Sequence, residues 1–178
     1  MLNGVGSVGK SSAARVLLGL LDRPFLHVAM DDFIGMLPPW AHDHPDGLRF
    51  LPEVRGGHPS IAIRSGPIMA RAMRGMRHAV AAMAGQGNDL IVDDVMLDVA
   101  DAREYRTLLA GCDARLVGLF APLAVPEARE RARDGRAIGL PRWQYDRMHR
   151  GMQYDLELDT ADLTPEQVAK SIRDRLAL

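Results

Sequence analysis

Apolar positions along the chain fall into two rhythms. Dense short runs, at Phe25 to Met30, Leu90-Ile91-Val92, Leu116 to Phe120 and Leu156 to Leu158, read as strands buried on both faces. Met1-Leu2-Asn3 supplies a further, very short strand. Between these runs, apolar residues recur at helical spacing. Ala13, Val16, Leu17, Leu20 and Leu21 mark a helix over Ser12–Leu21, a long helix follows at about Pro67–Ala84, and Ala102–Leu109 is also helical. Pro126 falls in the first turn of the next helix, which Gly135 is expected to end, and another helix starts near Pro141. The closing helix has a sharp start, with Thr164 as N-cap, Pro165 at the first position and Gln167 completing a capping box. Strands alternating with helices predict an α/β protein: a three-layer α/β/α fold around a five-stranded parallel sheet. One stretch breaks the rhythm. Residues Pro38 to Pro67 are dense in proline, glycine and histidine, with extended pieces near Leu48–Leu51 and Ser60–Arg64, and read as a hairpin or lid-like loop inserted into a single domain.

The first helix opens on Gly4-Val5-Gly6-Ser7-Val8-Gly9-Lys10-Ser11, a complete G-x-x-x-x-G-K-[ST] pattern. Glycines there let successive backbone N–H groups turn inward onto phosphate oxygens, and the helix adds its positive N-terminal end. Gly4, Gly6, Ser7, Val8, Gly9, Lys10, Ser11 and Ser12 are therefore the expected nucleotide-binding residues. Lys10 is placed to reach the β- and γ-phosphates, and the Ser11 hydroxyl to complete a magnesium shell.

Composition narrows the partners. The 178 residues carry 22 basic and 23 acidic side chains, a net charge of -1, which argues against a nucleic-acid protein that relies on a broadly basic face. Only two of the basic residues are lysines, and one of them is Lys10. The single cysteine, Cys112, can build neither an internal disulfide nor a zinc cage. No apolar run approaches the roughly 18 residues of a spanning helix, and Met1 to Gly9 lack the form of a secretory signal. A cytoplasmic protein with no membrane partner is expected.

In a parallel sheet, ligands bind beyond the carboxyl ends of the strands. Asp31 and the pair Asp93-Asp94 fall at that edge beside the phosphate loop. Asp93 is the candidate magnesium ligand with Ser11; the alternative is a capping or loop carboxylate, and Asp94 can equally face substrate. Asp31 is the candidate general base for an acceptor alcohol, with a structural cap as the alternative and Asp32 as its competitor. Seven arginines lie between Arg129 and Arg150. Arg129 and Arg133 are spaced to share a helix face with Arg136 beyond it, either closing over a triphosphate or forming a solvated surface. His42, His44 and His58 suggest a metal only weakly, because no cysteine accompanies them. Met69, Met73, Met76 and Met83 form a stripe suited to core or to the wall of an apolar ligand site.

Taken in order, these stretches resemble the chloramphenicol phosphotransferase family. The resemblance runs through Leu2-Asn3-Gly4 to Ser12, Val28-Ala29-Met30-Asp31, Ser65-Gly66-Pro67, Ile91 to Val95, Ala128-Arg129-Glu130 to Arg136, and His149-Arg150-Gly151 to Tyr154-Asp155-Leu156-Glu157. It implies a P-loop nucleoside triphosphate hydrolase fold of the nucleoside monophosphate kinase type. It also implies an ATP- and magnesium-dependent transfer to the primary hydroxyl of chloramphenicol or a similar small-molecule alcohol. Asp31 takes the place of the proton-accepting aspartate, Arg133 and Arg136 those of phosphate-contacting arginines in a lid at about 126–150, and the 38–67 loop helps form the acceptor pocket. That loop departs from the family pattern at Trp40 to Pro45 and Val54 to His58. Two other readings accompany this one: a metabolic kinase of a nucleoside, sugar or shikimate-like substrate, and a nucleotide-binding regulatory module without transfer.

Overall fold

The computed structural model describes residues 1–133 and 138–178. Its strands are β1 (Leu2–Asn3), β2 (Phe25–Ala29), β3 (Leu48–Arg55), β4 (His58–Ser65), β5 (Asp89–Asp93), β6 (Val117–Phe120) and β7 (Leu156–Asp159). The helices are α1 (Lys10–Leu20), α2 (Met30–Gly35), α3 (Pro67–Gly85), α4 (Val99–Leu108), α5 (Ala124–Arg131), α6 (Leu140–Met148) and α7 (Pro165–Leu176). Five strands form one parallel sheet in the order β2-β5-β1-β6-β7, which puts the phosphate loop after β1 at the centre of the carboxyl edge.

Alternation along each strand sends side chains to two helical layers. Ile91 joins Leu2, Leu17, Leu119 and Ile172 in a core under α1 and α7, whereas Val92 joins Met76, Val80 and Tyr105 under α3 and α4. The three-layer expectation therefore holds, with buried apolar side chains on both sheet faces supplying the main stabilisation. Thr164 and Gln167 form the expected capping box on α7. Along α3, Met69 packs with Leu37 and Leu48, and Met76 with Val80 and Val92, so the methionine stripe is mainly core.

Of the two alternatives read for this stretch, residues 48–65 take the hairpin, with strands longer than the extended pieces expected near 48–51 and 60–64. Eight residues of β3 pair antiparallel with eight of β4, from Leu48↔Ser65 to Arg55↔His58. Gly56 and Gly57 connect them with φ of 59° and 78°. Two consecutive left-handed residues make the two-residue turn whose twist suits a hairpin, and glycine takes that conformation without steric cost. This Gly-Gly signal joins two full-length strands.

Two further boundaries differ from the sequence reading. β2 stops at Ala29, and Met30 begins a short helix, so Asp31 and Asp32 lie in the first turn of α2 instead of at a strand end. Acidic residues suit that position because the helix N-terminus carries partial positive charge. In addition, α5 ends at Arg131, so Arg133 lies past the helix and shares no face with Arg129. Gly135 and Arg136 lie outside the described residues.

Candidate active site

The loop from Gly4 to Gly9 leaves β1 and enters α1, with Ser7 at φ 62° and Gly9 at φ 112°. Lys10 begins the helix and is buried, and its ammonium donates to the carbonyls of Gly4 at 2.9 Å and Val5 at 3.4 Å. Burial pushes the Lys10 ammonium below the usual lysine range. Asp93, Asp94 and Asp31 oppose that shift, in descending order, and Arg133 adds to it. One cation thus senses three carboxylates from β5, the segment after it, and α2, together with an arginine from beyond α5. Arg136 lies outside the described residues.

Asp93 and Asp94 diverge. Asp93 follows Ile91 at a two-residue interval, so it faces the α1 side of the sheet, beside the helix that carries Ser11. Asp93 is buried, and its Oδ2 lies 3.9 Å from Nε2 of His27 on β2, a buried nitrogen that has no hydrogen-bond partner among the described residues. Asp94 instead accepts from the Tyr105 hydroxyl at 3.0 Å and the Val95 N–H at 2.7 Å, on the α4 side. Burial raises the Asp94 carboxyl above its ordinary range, offset by those two bonds and by Arg77 and Lys10. The geometry therefore gives Asp94 a supporting place against α4. Asp93 and the Ser11 hydroxyl offer hard oxygen donors of the kind magnesium takes, and so fit that ion. Among the described residues, no group of three or more His, Cys, Asp or Glu side chains is placed to hold a metal. His44 packs edge-on against Trp40.

Arg129 does not reach toward a triphosphate. Its guanidinium donates to the carbonyls of Val8 at 3.1 Å, Thr160 at 2.8 Å and Ala161 at 3.3 Å, while the Thr160 hydroxyl donates to Val8 at 3.0 Å. These bonds fasten the back of the phosphate loop to the end of β7.

An aromatic cluster borders the loop on its other side. His149 stacks on Phe120 with ring centroids 3.9 Å apart, and its Nδ1 lies 2.8 Å from the Tyr154 hydroxyl. That hydroxyl also accepts from Asn3 Nδ2 at 2.9 Å, and the tautomer of His149 sets which partner donates in its bond with Nδ1. Burial, reinforced by the charge of Lys10, lowers the His149 pKa to about 4. Phe120, His149, Tyr145, Val5, Pro122 and Asp159 line a cavity of about 450 Å³. Because the folded pKa lies below the ordinary value of 6.5, the unfolded chain takes up the proton first. The stability lent by a neutral His149 is complete above about pH 6.5 and is lost as pH falls toward about 4. Urea unfolding of His149→Phe should show a shallower loss than wild type across that window; parallel curves would remove His149 from the acid sensitivity.

Neither Gln144 nor Glu130 was a site candidate from the sequence, yet both are buried: Gln144 on α6 accepts from the Gly6 N–H of the phosphate loop, and Glu130 accepts from the Gly139 and Leu140 N–H groups at the start of α6. A usable signal existed for Gln144. It lies on the same helical face as the buried residues Pro141 and Met148, where a polar side chain must have a partner.

The family model described as chloramphenicol phosphotransferase-like protein matches residues 1–177. The chain belongs to this family. As a member of the chloramphenicol phosphotransferase-like family, it is a phosphotransferase enzyme. A relative in Mycobacterium tuberculosis strain H37Rv, provisionally named an O-phosphotransferase, is 28% identical over 182 residues, covering 98% of this chain and 80% of the relative. The tunicamycin resistance protein of Deinococcus radiodurans aligns with a TM-score of 0.68 and 25% identity, over 99% of this chain and 94% of the other. The Mycobacterium tuberculosis APS kinase, solved with AMPPNP and APS, aligns with a TM-score of 0.68 and 19% identity over 99% and 95% of the two chains. The fold is thus that of P-loop kinases. Among the described residues, no helix of this family member is long and apolar enough to cross a membrane.

Proposed function

We propose that the chain transfers the γ-phosphoryl group of ATP to an alcohol of a small molecule, with chloramphenicol or a close relative as the acceptor. The observation that carries this reading is the buried Lys10 at the start of α1, directly after the turn of Gly4 to Gly9, with Asp93 buried at the end of the adjacent β5. Backbone N–H groups from Gly4 to Ser12 would cradle the phosphates, with Lys10 at the β- and γ-phosphates. Ser11 and Asp93 would hold magnesium, which neutralises charge on the phosphate oxygens when bound. Asp31, in the first turn of α2, is the proposed base. Its carboxylate takes the hydroxyl proton as the alcohol oxygen bonds to the γ-phosphorus and the bond to the β-phosphate oxygen breaks, releasing ADP. Arg133 stabilises the charge that spreads over the transferring group, and Arg136 is proposed to join it.

The hairpin and the residues before it form the acceptor side in this account, and residues near 126–150 form the lid. Met36, Trp40 and Phe50 are exposed there, which suits an acceptor with an aromatic or aliphatic body more than a wholly polar one. Steady-state ADP release should rise on adding chloramphenicol far more than on adding a sugar or nucleoside. Equal stimulation by sugars would favour a metabolic kinase instead.

A further inference from the structure

Arg129 and Thr160 lie behind the phosphate loop, and their bonds grip one peptide of it from two elements. The Val8 carbonyl accepts from Arg129 Nη1 at 3.1 Å and from the Thr160 hydroxyl at 3.0 Å. That hydroxyl also lies 3.1 Å from the Phe120 carbonyl, which already accepts from the Thr160 N–H at 2.7 Å, so the hydroxyl hydrogen is available to Val8. Thr160 is buried, just beyond the end of β7. The second guanidinium nitrogen of Arg129, Nη2, donates to the carbonyls of Thr160 at 2.8 Å and Ala161 at 3.3 Å. The planar fork is therefore fixed across three carbonyls, one of which belongs to the loop.

The consequence lies on the opposite side of that peptide. The Val8–Gly9 peptide is trans, and in a trans peptide the carbonyl and the N–H point in opposite directions. Holding the Val8 carbonyl toward α5 and β7 turns the Gly9 N–H away from them. Backbone sterics do not impose this orientation. Gly9 has φ 112°, and glycine takes either sign of φ at little cost, so the peptide before it is free to turn unless something grips it. The other carbonyls of the loop are held differently. Lys10 Nζ takes those of Gly4 and Val5, and Val5 also accepts from the Val8 N–H at 3.2 Å. Lys10 thus secures the first half of the loop, and Arg129 with Thr160 secures the peptide that leads into α1.

We propose that Arg129 and Thr160 are positioning residues that hold the Val8–Gly9 peptide so that the Gly9 N–H is aimed at phosphate before nucleotide arrives. Amides at this end of the loop and at the start of the helix are the groups that meet phosphate oxygens. Without the grip, the peptide must be ordered during binding, and that cost reduces affinity. The inference rests on the reading of the loop as an ATP site. It deepens that reading by giving Arg129 a part in nucleotide binding that needs no contact with the triphosphate.

Calorimetric affinities for two probes test it, each as its magnesium complex: a non-hydrolysable ATP analogue, and tripolyphosphate, which carries no base. Thr160→Val removes the hydroxyl while keeping a branched side chain, and should bind both probes about three- to tenfold more weakly than wild type. Thr160→Ser keeps the hydroxyl and should bind both within about twofold of wild type. Arg129→Lys keeps the charge but cannot span the three carbonyls, and should lose about tenfold for both probes. Without nucleotide, Thr160→Val and Arg129→Lys should also exchange backbone hydrogens faster over residues 4–11. A merely structural threonine or arginine would lower the melting temperature and leave the affinities of the folded protein unchanged. The proposal is overturned if Thr160→Val binds both probes as wild type does, or if Arg129→Lys does so, which would leave charge alone at work. Weakening of the ATP analogue without weakening of tripolyphosphate would also overturn it, by moving Arg129 to the base. Wild-type protein that binds neither probe would overturn the ATP reading itself, a result recognised before any variant is made.

Discussion

Lys10→Ala should lower phosphoryl transfer by at least about a hundredfold, the scale on which single preorganised stabilisers of transition-state charge act. The reason lies in its surroundings. Lys10 is buried against the loop, so its charge works in a medium that screens it poorly. Burial disfavours that charge, while Asp93, Asp94 and Asp31 favour it and keep an ammonium at the place where phosphate charge must be met. Arginine is no substitute there, because its planar fork is bulkier than an ammonium that fits beneath the Gly4 and Val5 carbonyls. Those two bonds also brace the loop, so the measurement pairs kcat with a thermal melt. A folded Lys10→Ala protein that turns over at the wild-type rate would remove the ATP assignment.

The second large effect is expected at Asp31. Asp31→Asn preserves shape and removes the proton acceptor, so kcat should fall by about a hundredfold to ten-thousandfold while the affinity for magnesium-ATP stays close to wild type. The split between rate and affinity is the informative part. A role in holding nucleotide would move both, whereas a base acts only when the acceptor hydroxyl is being deprotonated. Asp32, its neighbour in the same turn of α2, serves as the internal comparison: Asp32→Asn should transfer at nearly the wild-type rate. A reversal between the two variants would move the base by one residue.

Much of this was legible in the sequence, for identifiable reasons. The phosphate loop was clear because the glycines, Lys10 and Ser11 are all local requirements of one backbone path. The closing helix was clear because Thr164, Pro165 and Gln167 form a self-contained cap. The parallel sheet followed from short apolar runs that must be buried on both faces. What escaped depended on partners distant in the chain. Met30 to Gly35 is short, has no fully buried side chain, and follows directly on an apolar strand, so no periodicity separates it from β2. Arg129 and Arg133 have helical spacing, but α5 ends between them, and Arg129 finds carbonyls more than thirty residues along the chain. Asp93 and Asp94 are adjacent and chemically alike. Only the alternation of β5 and the presence of Tyr105 on α4 distinguish the one facing α1 from the one braced behind it. Gln144 needed the contact with Gly6 to stand out from an ordinary helix face.

The most direct test of the central claim is mass spectrometry of chloramphenicol after incubation with purified protein and magnesium-ATP, run beside the Asp31→Asn variant. The account predicts a product heavier by one phosphoryl group with wild type, and almost none with Asp31→Asn over the same time. Wild-type protein that binds ATP yet returns chloramphenicol unmodified would contradict the proposed acceptor.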